Sequence, residues 1–173
     1  MNTGLLILRL VIGLLFAGHG IQKISHWLGG HGIEGGAAEF RADGFRGGRL
    51  TAAAAGLGQI AAGLLLAAGA LTPLAAAIAA GVMTVAVTVK WRNGLWVQDN
   101  GYEYPLVLVI LPAVLTLTGP GRWSADQALG LLPWDPWWTV VAVGLGVAGG
   151  LMTRVFLGRP SGESEGTSVP PRS

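Results

Sequence analysis

The segment RLTAAAAGLGQIAAGLLLAAGALTPLAAAIAAGVMTVAVTVK, residues 49–90, contains two long apolar runs with only Leu-Thr-Pro between them. A hydrocarbon core of about 30 Å needs on the order of 20 helical residues at about 1.5 Å each, and both runs approach that length. Thr72 suits the N-cap of the second run, and Pro73 suits its first helical position, where a missing amide hydrogen costs nothing. The segment therefore predicts two antiparallel membrane-spanning helices joined by a tight turn.

The whole chain has the composition of a membrane protein. Of its 173 residues, 51% are hydrophobic and 12% are charged, whereas a soluble domain carries about 25% charged residues. The predicted class is an all-α integral membrane protein with a four-helix transmembrane bundle in residues 1–130 and a fifth transmembrane helix in residues 131–158. A tail, residues 159–173, lacks apolar periodicity and is predicted to be disordered. The predicted spans are Thr3 to Ile24, Leu50 to Leu71, Pro73 to Val89, Tyr104 to Thr118 and Trp137 to Leu157.

The segments outside these spans predict how the chain crosses the membrane. The first run lacks a basic n-region and contains Arg9, which favours a retained span over a signal peptide. HWLGGHGIEGGAAEFRADGFRGGR, residues 26–49, is predicted to be a re-entrant or surface loop with a single helical turn at AAEF. Nine basic residues fall on one side and Arg122 on the other, which places the N-terminus outside and the tail in the cytoplasm. The nine are Lys23, Arg41, Arg46, Arg49, Lys90, Arg92, Arg154, Arg159 and Arg172.

Several function classes are excluded by the composition. The chain has no cysteine, so it has no disulfide or thiolate metal ligand of its own. Its net charge is only +2 and its basic residues lie at span ends, which argues against a nucleic-acid partner. His26 and His31 lie in the glycine-rich loop without metal-ligand spacing, and no haem or flavin motif is present. We therefore expect no metal site and no cofactor signature in the chain itself.

Ionisable and polar side chains inside the spans are candidates for a site, because they are costly in a membrane. Arg9, His19 and Lys23 share one face of the first span, although Arg9 and Lys23 could instead reach opposite membrane surfaces and His19 could be a structural hydrogen-bonding group. Gln59 is the only strongly polar side chain of the second span, and it lies on a face of alanine and glycine opposite Leu57 and Leu64. A hydrogen bond between helices and a role in a site are both open for Gln59.

The order of crossings brings polar residues from several spans to one membrane face. Glu103 lies beside the start of a helix opened by Pro105, where a carboxylate is favoured by about 0.3 to 1 kcal/mol. It could cap that helix, pair with Lys23 or Lys90, or handle a proton. The residues predicted to converge are His19, Gln22, Lys23, Lys90, Arg92 and Glu103.

Three segments together resemble the DoxX family of small bacterial membrane proteins over about residues 5–130. They are RLVIGLLFAGHGIQK (9–23), GLLLAAGALTPLAA (63–76) and NGYEYPLVLVILPAVLTLTGPGRWSAD (100–126). The resemblance implies a four-helix bundle in the bacterial plasma membrane. Some relatives are the membrane subunit of thiosulfate:quinone oxidoreductase, which implies electron transfer at the quinone pool with a soluble redox partner. The family motif falls on Arg9, His19, Gln22, Lys23, Glu103, Tyr104, Pro105 and the Gly119 to Arg122 turn.

This chain departs from the family pattern at two points. It has Gln59 where many relatives have glutamate, which puts a proton-carrying role there in doubt, and it has a fifth span. The leading hypothesis is a subunit of a redox or oxidative-stress complex with a pocket for a quinone head or a small anion. Alternatives are a noncatalytic anchor that recruits a soluble partner through Arg41, Arg46 and Arg49, and a small-solute or proton pathway. Assembly into a homo-oligomer is open. The pocket candidates are Arg9, His19, Gln22, Lys23, Gln59, Lys90, Glu103 and Tyr104.

Overall fold

The computed structural model describes residues 2–158, and the regular structure in that range is helical. The predicted disorder of residues 159–173 lies outside the described residues. Seven α-helices follow one another within the range: α1 (Asn2–Ile24), α2 (Gly32–Ala42), α3 (Arg49–Ala68), α4 (Thr72–Lys90), α5 (Glu103–Thr118), α6 (Ala125–Ala128) and α7 (Trp137–Leu157).

Four of these helices, α1, α3, α4 and α7, are long and apolar enough to cross a membrane. The remaining apolar helix, α5, has 16 residues. Many of their large apolar side chains point away from the protein, including Leu14, Leu64 and Val140, which are 60% or more exposed. The chain is therefore a membrane-embedded, multi-pass protein whose outer helix faces contact lipid.

The loop before α3 contains a longer helix than the sequence predicted. The predicted single turn at AAEF is wrong, because α2 has 11 residues. Ala37 and Phe40 on its inner face are buried against Phe45 and Ala52. Gly36 lies where α2 crosses the end of α1, and an added Cβ there would overlap the carbonyl oxygen of Lys23. Gly36, although glycine is unfavourable in an isolated helix, thus permits close packing of α2 on α1.

Glycine also brings α1 and α3 into close contact. A Cβ atom on Gly13 would lie 2.5 Å from the carbonyl oxygen of Gly63, and one on Gly20 would lie 2.9 Å from the backbone nitrogen of Ile60. The two antiparallel helices therefore pair around these levels, which puts His19 within about one turn of the level of Gln59. Gln59 is 3% exposed while Leu57 and Leu64 are exposed, so the predicted orientation of α3 is confirmed.

The rest of the molecule is arranged around α4. This helix packs against α3, α5 and α7. The main buried cluster lies where α1, α3, α4 and α5 meet, and includes Phe16, Leu66, Met83 and Leu108.

The C-terminal end of α7 is tied to the loop between α2 and α3. The backbone nitrogen of Arg46 donates to the carbonyl oxygen of Leu157 at 2.6 Å. Arg154 Nη1 donates to the carbonyl oxygen of Asp43 at 3.0 Å, and its guanidinium lies over the ring of Phe45. The end of α7 and the start of α3 therefore lie at the same end of the molecule.

Candidate functional site

A cavity of about 1310 Å³ lies between α1, α2, α3, α4, α5 and α7. Apolar residues and glycine form most of its lining, and the charged residues of the lining, Lys23, Glu39, Asp43 and Lys90, lie near the ends of α1, α2 and α4. Five of the eight sequence candidates line it: His19, Lys23, Gln59, Lys90 and Tyr104. The other three, Arg9, Gln22 and Glu103, lie elsewhere.

A hydrogen bond between His19 and Tyr104 joins α1 to α5 at the cavity wall. His19 Nε2 and the Tyr104 hydroxyl oxygen are 2.8 Å apart, and the two rings meet edge to face with centroids 5.5 Å apart. The imidazole tautomer decides which partner donates. In either case the tyrosine hydroxyl, which has one proton and two lone pairs, retains capacity for one more partner. The pair can therefore bind a polar group inside the cavity.

Gln59 is the most deeply buried polar side chain of the cavity. Its Oε1 atom has no hydrogen-bond partner within residues 2–158. The helix-to-helix hydrogen bond that would explain a buried glutamine is thus not made by this oxygen. An unsatisfied buried acceptor costs about 1–3 kcal/mol, and because this oxygen is enclosed by the protein, Gln59 lines the cavity with other atoms of its side chain.

Charges of both signs surround the mouth of the cavity. Lys23 Nζ lies 3.7 Å from Glu39 Oε2 and 5.3 Å from the ring centroid of Phe40. Lys90 donates to the side-chain oxygen of Asn100. Burial raises the pKa of Asp43, and Glu39 raises it further, whereas Lys23, Lys90 and Arg154 act in the opposite direction. The charges at the mouth are therefore of both signs and would not attract anions specifically.

Glu103 closes a loop, and the ion pair that was one alternative for it is not formed. Its Oε2 accepts a hydrogen bond from the backbone nitrogen of Val97 at 3.1 Å, and its own backbone nitrogen donates to Leu95 at 2.8 Å. The salt bridges found within residues 2–158 do not include Glu103, so of the three roles left open for it, pairing with Lys23 or Lys90 is not the one observed. The carboxylate lies in the first turn of α5 but bonds to the preceding loop. Spacing in the sequence could not show whether Glu103 bonds to a lysine on a neighbouring helix or to this local backbone nitrogen.

Gln22 likewise serves a local turn. Its Nε2 donates to the carbonyl oxygen of Leu28 at 2.7 Å, which fixes the chain after α1.

Arg9 is buried at the opposite end of the bundle from the cavity mouth. It is 1% exposed, and its Nη2 donates to the carbonyl oxygen of Trp123 at 2.7 Å. Nε and Nη1 have no hydrogen-bond partner among residues 2–158, and Asp126 attracts the guanidinium electrostatically. Arg9 therefore points into the protein, towards Gly69 in the α3–α4 turn and Trp123 in the loop after α5.

Asp126 is the residue that the sequence analysis missed. It is fully buried and accepts hydrogen bonds from the backbone nitrogens of Leu71 and Thr72 at 2.6 and 3.0 Å, from Thr72 Oγ1 at 2.5 Å and from Trp134 Nε1 at 3.1 Å. The prediction that Thr72 is the N-cap of α4 is wrong, because Leu71 occupies that position in a left-handed conformation. Asp126 supplies the acceptor oxygens instead. The order of crossings could have pointed to Asp126, because it places residue 126 at the same end of the molecule as the start of α4.

The described residues contain no cluster that could hold a metal ion, taking three or more His, Cys, Asp or Glu side chains as the criterion.

Comparison with known proteins connects this architecture to a family. The sequence model of the DoxX family matches residues 4–91, about half of the chain. This match covers α1 to α4, including His19, Lys23 and Gln59, and ends before the NGYEYP segment at residues 100–105. Neither the comparison with curated proteins nor that with solved structures finds a significant match. On the strength of the family match, this multi-pass membrane chain belongs to the DoxX family.

Proposed function

We propose that this chain is an integral subunit of a redox complex in the bacterial plasma membrane, and that its cavity holds a quinone head group. The observation that carries the proposal is the cavity itself, which combines apolar walls with the hydrogen-bonding groups of His19, Tyr104 and Gln59. Ligand sites are typically apolar clefts with a few polar groups that set orientation.

A quinone fits these residues better than a small anion does. Its ring is neutral and carries oxygen atoms that can bond to the histidine–tyrosine pair and to an amide, while its tail is apolar. An anion would meet Glu39 and Asp43 as well as Lys23 and Lys90 at the mouth. When bound, a quinone would supply the capacity to accept and release electrons. The protein's own residues would bind and orient it.

The proposal includes five crossings, with the N-terminus outside and the C-terminal end of α7 in the cytoplasm. The hydrogen bond from Arg46 to Leu157 supports it, because an odd number of crossings brings the end of α7 to the end of α1. At about 1.5 Å per residue, the 16 residues of α5 reach about 24 Å, which needs only a short flanking segment to cross. The excess of lysine and arginine at the α2 end supports the orientation.

A matched pair of α3 variants tests the cavity. Both alanines are exposed, but Ala54 lines the cavity and Ala61 does not, so Ala54→Phe narrows the site while Ala61→Phe adds the same side chain toward lipid. Each protein is purified in nanodiscs made directly from bacterial membranes, and bound quinone is quantified by mass spectrometry after extraction. We expect near-stoichiometric quinone with the wild type and Ala61→Phe, and most of it to be lost with Ala54→Phe. Quinone at only the level of the surrounding lipid in the wild type would refute the proposal.

A second candidate is a noncatalytic anchor for a soluble partner. It is favoured by Arg41 and Arg46, which are exposed beside the cavity mouth and form no salt bridge within residues 2–158. Changing both to glutamine would then abolish copurification of a redox enzyme, whereas Ala54→Phe would leave it intact. Copurification that survives the change of both arginines would contradict this candidate.

A further inference from the structure

The charged groups at the cavity mouth lie at the level of a lipid head group. Lys23 is in the last turn of α1, Lys90 ends α4, and Asp43 follows the last residue of α2. Both lysines act electrostatically on the Asp43 carboxylate, so the three groups surround one opening. Exposed tryptophans, which favour the head-group level of a bilayer, flank the same end of the molecule. They are Trp27, Trp91 and Trp96.

These charged groups keep capacity to bind a ligand. An ammonium group has three hydrogens to donate. Lys90 Nζ donates to the two oxygens of Asn100, and Lys23 Nζ makes a longer contact of 3.7 Å with Glu39. Asp43 is exposed, and within residues 2–158 its carboxylate forms no hydrogen bond or salt bridge. The mouth therefore offers donors to an anionic group and, beside them, an acceptor to a cationic group.

An apolar wall continues from this mouth into the membrane. The lining on α4 runs from Lys90 to Ala77, which is about 20 Å of helix at about 1.5 Å per residue. One leaflet contributes about 15 Å of hydrocarbon, half of the bilayer core. Ala54 on α3 and Gly149 on α7 line the cavity and are exposed, so the cavity is open to lipid at its side. Its depth and this opening fit an acyl chain that enters from the bilayer.

We propose that the cavity binds one phospholipid whose head group carries a phosphate and a primary ammonium, as in phosphatidylethanolamine. The phosphate accepts from Lys23 and Lys90, the ammonium donates to Asp43, and an acyl chain lies along α4. A choline head group fits less well, because its quaternary nitrogen has no hydrogen to donate. The cavity, at about 1310 Å³, exceeds the roughly 300–1,000 Å³ of typical ligand sites, so the lipid leaves room for a quinone and does not depend on it.

Native mass spectrometry tests the selection of the head group. Wild type, Asp43→Asn and Asp99→Asn are purified without quinone and titrated with phosphatidylethanolamine and phosphatidylcholine of identical acyl chains. Asp99 is exposed in the loop before α5 and does not line the cavity, so it controls for the lost charge. We expect wild type and Asp99→Asn to bind phosphatidylethanolamine about tenfold more tightly than phosphatidylcholine. Asp43→Asn should reduce this ratio to about one.

A matched pair of α7 variants tests where the acyl chain lies. Gly144 and Gly149 are both exposed, and an added Cβ meets no atom within 4 Å at either position, but Gly149 lines the cavity and Gly144 does not. We expect Gly149→Phe to weaken phosphatidylethanolamine binding by about tenfold, because the ring occupies the space of the chain. Gly144→Phe should bind as the wild type does.

Three results would overturn the proposal. They are equal affinity of the wild type for the two lipids, a preference that survives in Asp43→Asn, and equal binding by the two α7 variants. If Asp43→Asn does not fold, as judged by its thermal melt, Asp43→Ser removes the same charge and is expected to give the same loss of preference. Because quinone is absent throughout, each of these results is separate from the fate of the proposed function.

Discussion

Asp126 holds the start of α4 from a distant part of the chain. Its two carboxylate oxygens accept from Leu71, Thr72 and Trp134, and its charge lies near the buried Arg9. In Asp126→Asn, one amide NH₂ would face backbone donors, and Arg9 would lose its compensating charge. We expect the free energy of unfolding to fall by about 3 kcal/mol, measured by reversible denaturation in mixed micelles.

The control for this change is Asp99→Asn, because Asp99 is exposed in the loop before α5. Its effect should stay within about 0.5 kcal/mol. Equal stability of the two variants would show that Asp126 does not hold α4.

Glu103 has a local role that two substitutions can distinguish from an ion pair. Glutamine keeps an oxygen that can accept from the backbone nitrogen of Val97, whereas alanine does not. We expect Glu103→Gln to change the free energy of unfolding by less than about 0.5 kcal/mol and Glu103→Ala to reduce it by about 1 kcal/mol. The same denaturation experiment at low and high salt checks this. A large, salt-sensitive loss in Glu103→Gln would restore the ion-pair interpretation.

At this scale the sequence indicated which side chains are unusual but not what they contact. Gln59 and Arg9 stand out because polar groups are costly inside an apolar helix, and both are buried. Their surroundings depend on how loops fold back. Arg9 bonds to Trp123, and Glu103 to a turn six residues earlier. Periodicity within one helix carries no information about such contacts.

Among the elements, the α1–α3 contact depends on glycine. In Gly13→Ala the new Cβ would lie 2.5 Å from the carbonyl oxygen of Gly63, so the helices must separate. We expect a loss of about 1–3 kcal/mol in the free energy of unfolding. Gly4→Ala, on the same helix, meets no atom within 4 Å and should be neutral or slightly stabilising, because alanine favours helix. If Gly13→Ala matched Gly4→Ala, the close contact would be refuted.

The long helices could be predicted because the bilayer demands a long, apolar and uninterrupted run. The short α2 could not, because its glycines weaken a helix in isolation and its stability comes from Phe40 and Ala37 packing on α3 and the following loop. Tertiary packing therefore determined the element that local propensity failed to predict.

For the whole molecule, the proposed orientation can be tested with single cysteines, since the chain has none of its own. Ala38 on α2 and Gln127 on α6 are exposed at opposite ends. With the N-terminus outside, Gln127→Cys should react with an impermeant maleimide in intact cells, and Ala38→Cys only after permeabilisation. The reverse pattern would invert the topology. Labelling of both in intact cells would rule out the five-crossing arrangement.

The placement of α7 means that the shape of the cavity can change independently of its polar residues. Leu145, Gly149 and Thr153 form part of the cavity wall, yet they lie beyond residues 4–91, the part that matches the family. One wall of the cavity is thus formed by a helix outside the family-matched segment, whereas His19 and Gln59 lie inside it. Deleting α7 would open the cavity sideways to lipid, and replacing it with a different helix would change the shape of the cavity, while the helices that carry His19 and Gln59 would stay the same.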